Sequence, residues 1–105
     1  MSETLEELRT RLNAETGKLA WKELERFYAR GVVIVVAPDL DLVEVAARVA
    51  ADDIAPVQGW LTEGRLARAS EDHARDWVAR APDFWAVVAA PWVLVQEVAE
   101  MPAVH

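Results

Sequence analysis

The chain has 105 residues, of which 53% are apolar and 28% are charged, and its formal net charge is −7. This length fits one domain with one core, and the composition is typical of a folded protein. The absence of cysteine excludes disulfides, thiolate nucleophiles and cysteine-ligated zinc. A molecule this acidic repels phosphate backbones and anionic membrane surfaces, so nucleic-acid binding would require a local basic patch.

The N-terminal sequence MSETLEELRTRL is charged and amphipathic, and it lacks the apolar core of a secretion signal. No apolar run approaches the roughly 18 to 20 residues that span a bilayer. We therefore expect a cytoplasmic protein with no membrane segment and no membrane partner. A single domain is predicted over residues 1–105, with residues 1–4 and 100–105 disordered or frayed.

The first third of the chain predicts two helices and a strand. Thr4 and Glu7 have the spacing of a capping box, which indicates that a short amphipathic helix opens the chain. A second helix is expected over about residues 18–30, with Gly31 just past its end. The β-branched run VVIVV at residues 32–36 predicts a strand that is buried on both faces.

Two further helices are predicted in the centre of the chain. Asp41 and Glu44 mark the start of the first, whose apolar residues recur at helical spacing. Asp52 or Asp53 is expected to cap the second, which ends at Gly64. Its inward face is predicted to consist of Ile54, Val57, Trp60 and Leu61.

The last third predicts a helix and a second buried strand. Short extended chain follows Gly64, and Ser70 is expected to cap a helix that Pro82 ends. Residues 84–90 are predicted to form the strand. Beyond Pro91, residues 92–98 either resume that strand after a bulge or bend away, and periodicity does not choose between the two.

This order of elements indicates a winged helix-turn-helix with an extra helix in the wing hairpin. The segment LVEVAARVAADDIAPVQGWLTEGRL resembles the helix-turn-helix of excisionase-type winged domains, in which two apolar helix faces dock on each other. The predicted fold class is therefore α+β: a small winged-helix-like single domain, with helices packed on a small antiparallel sheet of two or three strands. Such a fold carries no function by itself.

Charge argues against DNA recognition by this segment. Six acidic residues against Arg48 alone give residues 32–64 a balance of −5. The second helix of the pair contains no Lys or Arg, so it has nothing to neutralise phosphates. The arginines that follow alternate with carboxylates, which is typical of a solvated helix face. A winged-helix nucleic-acid-binding regulator using Arg65 and Arg68 on the wing stays as the alternative function.

Catalytic chemistry is also disfavoured. His73 and Asp76 share a helix face and could form one edge of a metal site, so a small metal-dependent enzyme around His73 is kept as a second alternative. The two serines, Ser2 and Ser70, do not lie on a nucleophile elbow, and no glycine-rich phosphate loop is present. We predict no catalytic residues, no metal and no cofactor.

Five tryptophans stand out in so short a chain. Trp60, Trp77 and Trp85 are predicted to be core residues, because they lie on helical stripes or in a buried strand. Trp92 follows Pro91 and is predicted to project outward, where tryptophan often anchors an interface. Because two long apolar strands leave an edge to cover, homodimerisation through the second strand is a further hypothesis.

Several segments together resemble one protein family. They include AWKELERFYARGVVIVV, VQGWL and FWAVVAAPWVLVQE, and the similarity extends from about Leu5 to Glu97. The family is that of the bacterial domain of unknown function 2288. The resemblance implies a bacterial, cytoplasmic, stand-alone domain, and it implies no activity, cofactor or catalytic residue.

The leading hypothesis is an uncharacterised, non-catalytic protein-interaction or adaptor domain. Asp52, Asp53 and Glu63 are predicted to contact a basic protein partner, and Trp92 is predicted to serve self-association. Together with Arg65 and Arg68, these residues form the candidate interaction surface.

Overall fold

A computed structural model describes residues 3–98 of the protein. The helices are α1 (Leu5–Glu15), α2 (Trp21–Ala29), α3 (Leu42–Ala50), α4 (Ile54–Thr62) and α5 (Glu71–Arg80). The strands are β1 (Gly17–Ala20), β2 (Val33–Val36), β3 (Leu66–Arg68), β4 (Asp83–Ala89) and β5 (Trp92–Glu97). The predicted α+β class is confirmed.

The sheet is larger than predicted and is mixed. Its five strands lie in the order β1-β4-β5-β2-β3, with β2 and β5 parallel and the other neighbours antiparallel. Residues 17–20 were expected to be loop and the start of a helix, but Leu19 lies opposite Phe84 in the sheet. The short run GKLA fits a helical stripe equally well, and only its long-range pairing with β4 makes it a strand.

Beyond Pro91 the chain neither continues the second strand nor bends away. Ala90 and Pro91 form a two-residue turn, and β5 returns antiparallel to β4 with Ala89 opposite Trp92. This hairpin places β5 in the middle of the sheet. Both long strands predicted from the sequence, β2 and β4, therefore have neighbours on either side.

The sheet separates two hydrophobic clusters, where a single core was expected. Leu94 points into the first cluster, with α1, α3 and α4, while Val93 and Val95 point into the second, with α2 and α5. The alternation of side chains along a strand explains the division, because a strand that is apolar at every position buries both of its faces.

Of the three tryptophans predicted to be core residues, two are less buried than expected. Trp77 is buried in the second cluster as predicted, and Trp60 is only partly buried against the first. Trp85 is 39% exposed, so its assignment to the core is wrong. Alternation places Trp85 on the same face of β4 as Val87 and Ala89 of the first cluster, but near the start of the strand, where its ring lies beside Lys18 of the short edge strand and stays partly exposed.

The inward face predicted for α4 is wrong in part. Ile54 is 75% and Leu61 is 44% exposed, whereas Val57 and Trp60 pack against the first cluster. The helix is apolar around most of its circumference, so its hydrophobic pattern does not select one face. α3 and α4 contact each other, as a helix-turn-helix requires; the winged-helix resemblance itself stays a prediction.

At the N-terminus, Glu3 and Thr4 fall in the segment predicted to be frayed. Thr4 nevertheless forms the predicted capping box with Glu7, and Glu3 accepts hydrogen bonds from Arg11. The disorder predicted for residues 1–2 and 100–105 lies outside the described residues. Across residues 3–98, none of the helices combines the length and apolar character needed to span a bilayer.

Candidate interaction site

The turn between α3 and α4 forms one corner of the candidate site. Asp52 N–H donates to Val49 O at 3.1 Å and Asp53 N–H donates to Arg48 O at 2.9 Å, which is the Schellman pattern that ends a helix. Asp52 adopts φ +56°, a left-handed conformation that favours glycine. The chain thus holds an exposed aspartate in a backbone conformation that is unfavourable for it.

Asp53 occupies the N-cap position of α4, but its side chain does not cap the helix in the described structure. Its Oδ2 instead accepts a hydrogen bond from Arg48 Nη1 at 2.7 Å. Arg48 also lies 3.5 Å from Glu44, to which Arg9 donates at 2.7 Å. The hydrogen bonds from Arg9 hold the pKa of the Glu44 carboxyl below its ordinary value, although partial burial opposes them.

These residues border an open groove of about 220 Å³ between α3, α4 and the start of β5. Its apolar side chains are Val49, Ile54, Val57 and Trp92. Its polar residues are Arg48, Asp52, Asp53 and Gln58. We call this feature the Trp92 groove.

Trp92 lines the groove and is partly buried, so the prediction that it projects outward is wrong in part. It packs against the first cluster, and the Arg68 guanidinium lies 5.5 Å from its ring centre. Arg68 Nη2 also donates to Gly31 O at 2.6 Å. The cation–π attraction between a guanidinium and an aromatic ring contributes about 0.5–1 kcal/mol at exposed sites.

The structure brings together some of the predicted interaction residues and separates others. Asp52, Asp53 and Trp92 line one groove, and Arg68 reaches it through Trp92. Glu63 and Arg65 lie at the far end of α4 and pair with each other at 3.3 Å.

Asp39, in the loop after β2, supplies a second carboxylate beside Arg65. Arg65 also donates to Asp39, and the hydrogen bonds from Asp39 and Glu63 raise the pKa of Arg65 above its ordinary value. These charges serve to fix the loop after β2 to the end of α4.

Sequence reasoning missed the contributions of Ile54 and Arg48 to the groove. Ile54 was assigned to the buried face, although it follows two aspartates directly at a helix start, where solvent exposure is common. Arg48 pairs with Asp53 because the turn after α3 brings the two side chains together. Their separation of five residues along the chain does not by itself predict an ion pair.

The comparisons with known proteins identify a family. Residues 7–97 match the family described as protein of unknown function (DUF2288). The chain belongs to this family. It is also similar to the NMR solution structure of PA1075 from Pseudomonas aeruginosa, with 46% identity and a TM-score of 0.80 over 100% of this chain and 97% of that chain. No curated protein matches it.

The DUF2288 resemblance predicted from the sequence is thus confirmed, and it brings no activity with it. In this DUF2288 chain the strand edge that motivated the homodimer hypothesis is largely covered, because β4 lies between β1 and β5. The edges of the described sheet are the short strands β1 and β3. Homodimerisation through the second strand stays a prediction.

The histidine considered as a metal ligand has other partners in this DUF2288 fold. Ser70 N–H donates to His73 Nδ1 at 3.0 Å, and the imidazole stacks on Trp77 with 5.4 Å between ring centres. Asp76 accepts hydrogen bonds from Arg80, which lower its pKa. Considering residues 3–98 only, no three His, Asp or Glu side chains are grouped to hold a metal ion.

Proposed function

We propose that this DUF2288 protein is a non-catalytic interaction domain whose Trp92 groove binds a segment of another protein. The observation that carries the proposal is the 75% exposure of Ile54 at the rim of a groove that Val57 and Trp92 line. A lone exposed isoleucine is ordinary, but one that extends an apolar groove adds to a contiguous patch, and such patches mark binding surfaces. A tryptophan in the lining of such a groove is typical of interface hot spots.

The charges of the groove favour a basic group in the partner. Asp53 is paired with Arg48, and Glu63 is paired with Arg65. Asp52 is exposed and has no ion-pair partner within residues 3–98. The basic-partner hypothesis therefore narrows from three carboxylates to Asp52, which lies beside the apolar wall. A partner segment that places an apolar side chain on Ile54 and a Lys or Arg near Asp52 fits this arrangement.

The contacts of the two wing arginines favour a protein partner over nucleic acid. Arg65 donates to two carboxylates, and Arg68 is held by Gly31 O and Trp92. A phosphate contact by either arginine would have to replace these contacts, so neither side chain is free for a nucleic acid as it stands. A cytoplasmic location and a bacterial host complete the proposal, and the similarity to a Pseudomonas aeruginosa protein supports the latter.

The test is a quantitative pull-down from the lysate of the host, with nuclease-treated and untreated halves. The tagged baits are wild type, Ile54→Asp and the matched control Val78→Asp, which alters a residue that is 65% exposed on α5. We expect one protein to be enriched by wild type and by Val78→Asp in both halves, and to be lost with Ile54→Asp. Titration of that purified protein should give a Kd at least tenfold weaker for Ile54→Asp.

Two results would contradict the proposal. Equal recovery with Ile54→Asp and wild type would place binding outside the Trp92 groove. Loss of the enriched protein after nuclease treatment would show that nucleic acid mediates the contact, and would favour the alternative based on Arg65 and Arg68.

A further inference from the structure

The basic residues of the chain divide into two groups. All eleven lie within residues 3–98, and six of them are within ion-pair distance of a carboxylate: Arg9, Arg11, Arg48, Arg65, Arg75 and Arg80. The other five have no such partner among the described residues: Lys18, Lys22, Arg26, Arg30 and Arg68. Four of these five fall within β1 and α2 or directly follow α2.

Three of the unpartnered cations form a stripe on α2. Lys22, Arg26 and Arg30 are four residues apart, so they lie one above another on the same helix face. All three are exposed, and the opposite face of α2 carries the buried Trp21 and Leu24. We call these three residues the basic stripe.

An apolar groove of about 230 Å³ lies next to the basic stripe. Arg26 and Lys18 border it, and Leu19, Phe27 and Val88 line it. Glu15 also lines it, and its carboxylate is paired with Arg11 at 3.3 Å. Val88 is 54% exposed although it belongs to a strand with neighbours on both sides. We call this feature the sheet groove.

The exposure of Val88 follows from the register of the sheet. β1 pairs with β4 only from Asp83 to Ala86, and continuing that register would place Glu15 opposite Val88. Glu15 is the last residue of α1, so no strand residue of the described chain lies opposite Val88 on that side.

The main chain of Val88 faces the same open edge. Asp83 O accepts from Val98 N–H, so alternate residues from Asp83 onward bond to β5. Val88 lies between these positions and directs its N–H and C=O away from β5. An extended chain could add to this free edge.

We propose that the basic stripe and the sheet groove together bind an acidic, extended peptide segment of a partner protein. Carboxylates of the segment pair with Lys22 and Arg26, an apolar side chain enters the groove over Val88, and its main chain bonds to the free edge. Three observations converge on a peptide: cations without carboxylates, an adjacent apolar floor and an open strand edge.

A nucleic acid fits these observations less well. Glu23 and Glu25 lie on α2 to either side of the stripe, and the net charge of −7 opposes a long polyanion. An apolar floor and one free strand position are of no use to a phosphate backbone.

The experiment is a selection from a random 12-residue peptide display library against the immobilised full-length chain. We expect enriched sequences to combine several Asp or Glu with apolar residues. The winning peptide, synthesised with a fluorescent label, is then titrated by anisotropy. Its Kd should weaken at least tenfold for Lys22→Gln/Arg26→Gln and for Val88→Asp, while all variants keep the wild-type melting curve.

Matched controls remove equivalent groups elsewhere. Arg65→Gln/Arg75→Gln removes two cations that already have carboxylate partners and do not line the sheet groove, and Val78→Asp alters an apolar residue of similar exposure. Both should bind the peptide as wild type does. The proposal is overturned by a selection without acidic enrichment, by a Kd insensitive to the stripe variant, or by tighter binding of a labelled 20-nucleotide single strand that the stripe variant abolishes.

This surface and the Trp92 groove are tested independently. Ile54→Asp should leave the selected peptide's Kd unchanged, because Ile54 lines only the Trp92 groove. Conversely, Lys22→Gln/Arg26→Gln should leave the partner captured through Ile54 unaffected. Failure of one proposal is therefore distinguishable from failure of the other.

Discussion

The two helical layers are attached to the sheet by different interactions. α1, α3 and the start of α4 pack through aliphatic side chains and are linked by a chain of ion pairs from Arg9 through Glu44 and Arg48 to Asp53. α2 and α5 pack through aromatic rings, and the basic residues of α2 have no carboxylate partner in the described chain. Ion pairs thus join the helices of the first layer, whereas in the second layer the basic residues of α2 are available at the surface and those of α5 are paired.

The largest expected effect concerns the aromatic layer. Trp77 is buried and lies 5.4 Å from Trp21 and 4.9 Å from Phe84, between ring centres. Trp77→Ala should lower the free energy of unfolding by about 3–5 kcal/mol, because it removes a large ring from a packed core. In a domain of this size such a loss leaves little or no folded protein, which circular dichroism during thermal melting would show.

Trp60→Ala is the corresponding substitution in the first layer, which packs mainly through aliphatic side chains. Trp60 is only partly buried, so we expect a smaller loss of about 1–2 kcal/mol. An equal or greater loss for Trp60 than for Trp77 would contradict the assignment of the aromatic cluster as the main support of the second layer.

A smaller effect is expected from the ion pairs of the first layer. Glu44→Gln removes the carboxylate that joins Arg9 and Arg48, and should lower the free energy of unfolding by about 1 kcal/mol at neutral pH. Glu25→Gln, which removes an exposed carboxylate of α2 that has no ion-pair partner in residues 3–98, should have no measurable effect. Chemical denaturation of the three proteins makes the comparison.

The difference between wild type and Glu44→Gln should depend on pH. The folded-state pKa of Glu44 is lowered by its hydrogen bonds from Arg9. The stabilisation is therefore fully present above the unfolded-state value of about 4.3 and is lost as pH falls through the lowered folded-state pKa. A difference that persists unchanged at pH 3 would show that Glu44 acts through packing rather than charge.

Local patterns predicted the five described helices, the strands β2 and β4 and the short extended segment of β3, because caps and periodicity are local properties. Thr4, Asp41 and Ser70 all cap helices as predicted. β1 was missed and the course of residues 92–98, which form β5, was left open, because both strands depend on pairing with β4 and neither GKLA nor WVLVQE specifies its partner. Their addition turned an antiparallel sheet of two or three strands into a mixed sheet of five.

The candidate site was predictable only in outline. Asp52, Asp53 and Trp92 were named from the sequence and share one groove, although 39 positions separate Asp53 from Trp92 along the chain. The net charge of −5 counted over residues 32–64 overstated how many carboxylates are free to bind a partner. Arg9 and Arg65, which lie outside that segment, pair with Glu44 and Asp39 within it. The unpartnered cations of α2 passed unnoticed because Glu23 and Glu25 equal Lys22 and Arg26 in number within the helix, and the sequence does not show which charges form ion pairs.

The smallest expected change in stability is a gain, and it separates folding from binding at the Trp92 groove. Asp52 adopts φ +56°, which Gly tolerates better, so Asp52→Gly should raise the free energy of unfolding by about 0.5–1 kcal/mol. If Asp52 contacts a basic partner, the same variant should bind that partner more weakly.

Asp52→Asn completes the comparison, because Asn tolerates this conformation yet carries no charge. It should match wild type in stability and Asp52→Gly in weakened binding, as denaturation and titration with the captured partner would show. Unchanged binding by both variants would remove Asp52 from the interaction surface and leave the groove to its apolar residues. A stability gain accompanied by weaker binding would instead show that the unfavourable backbone at Asp52 persists because the carboxylate serves the partner.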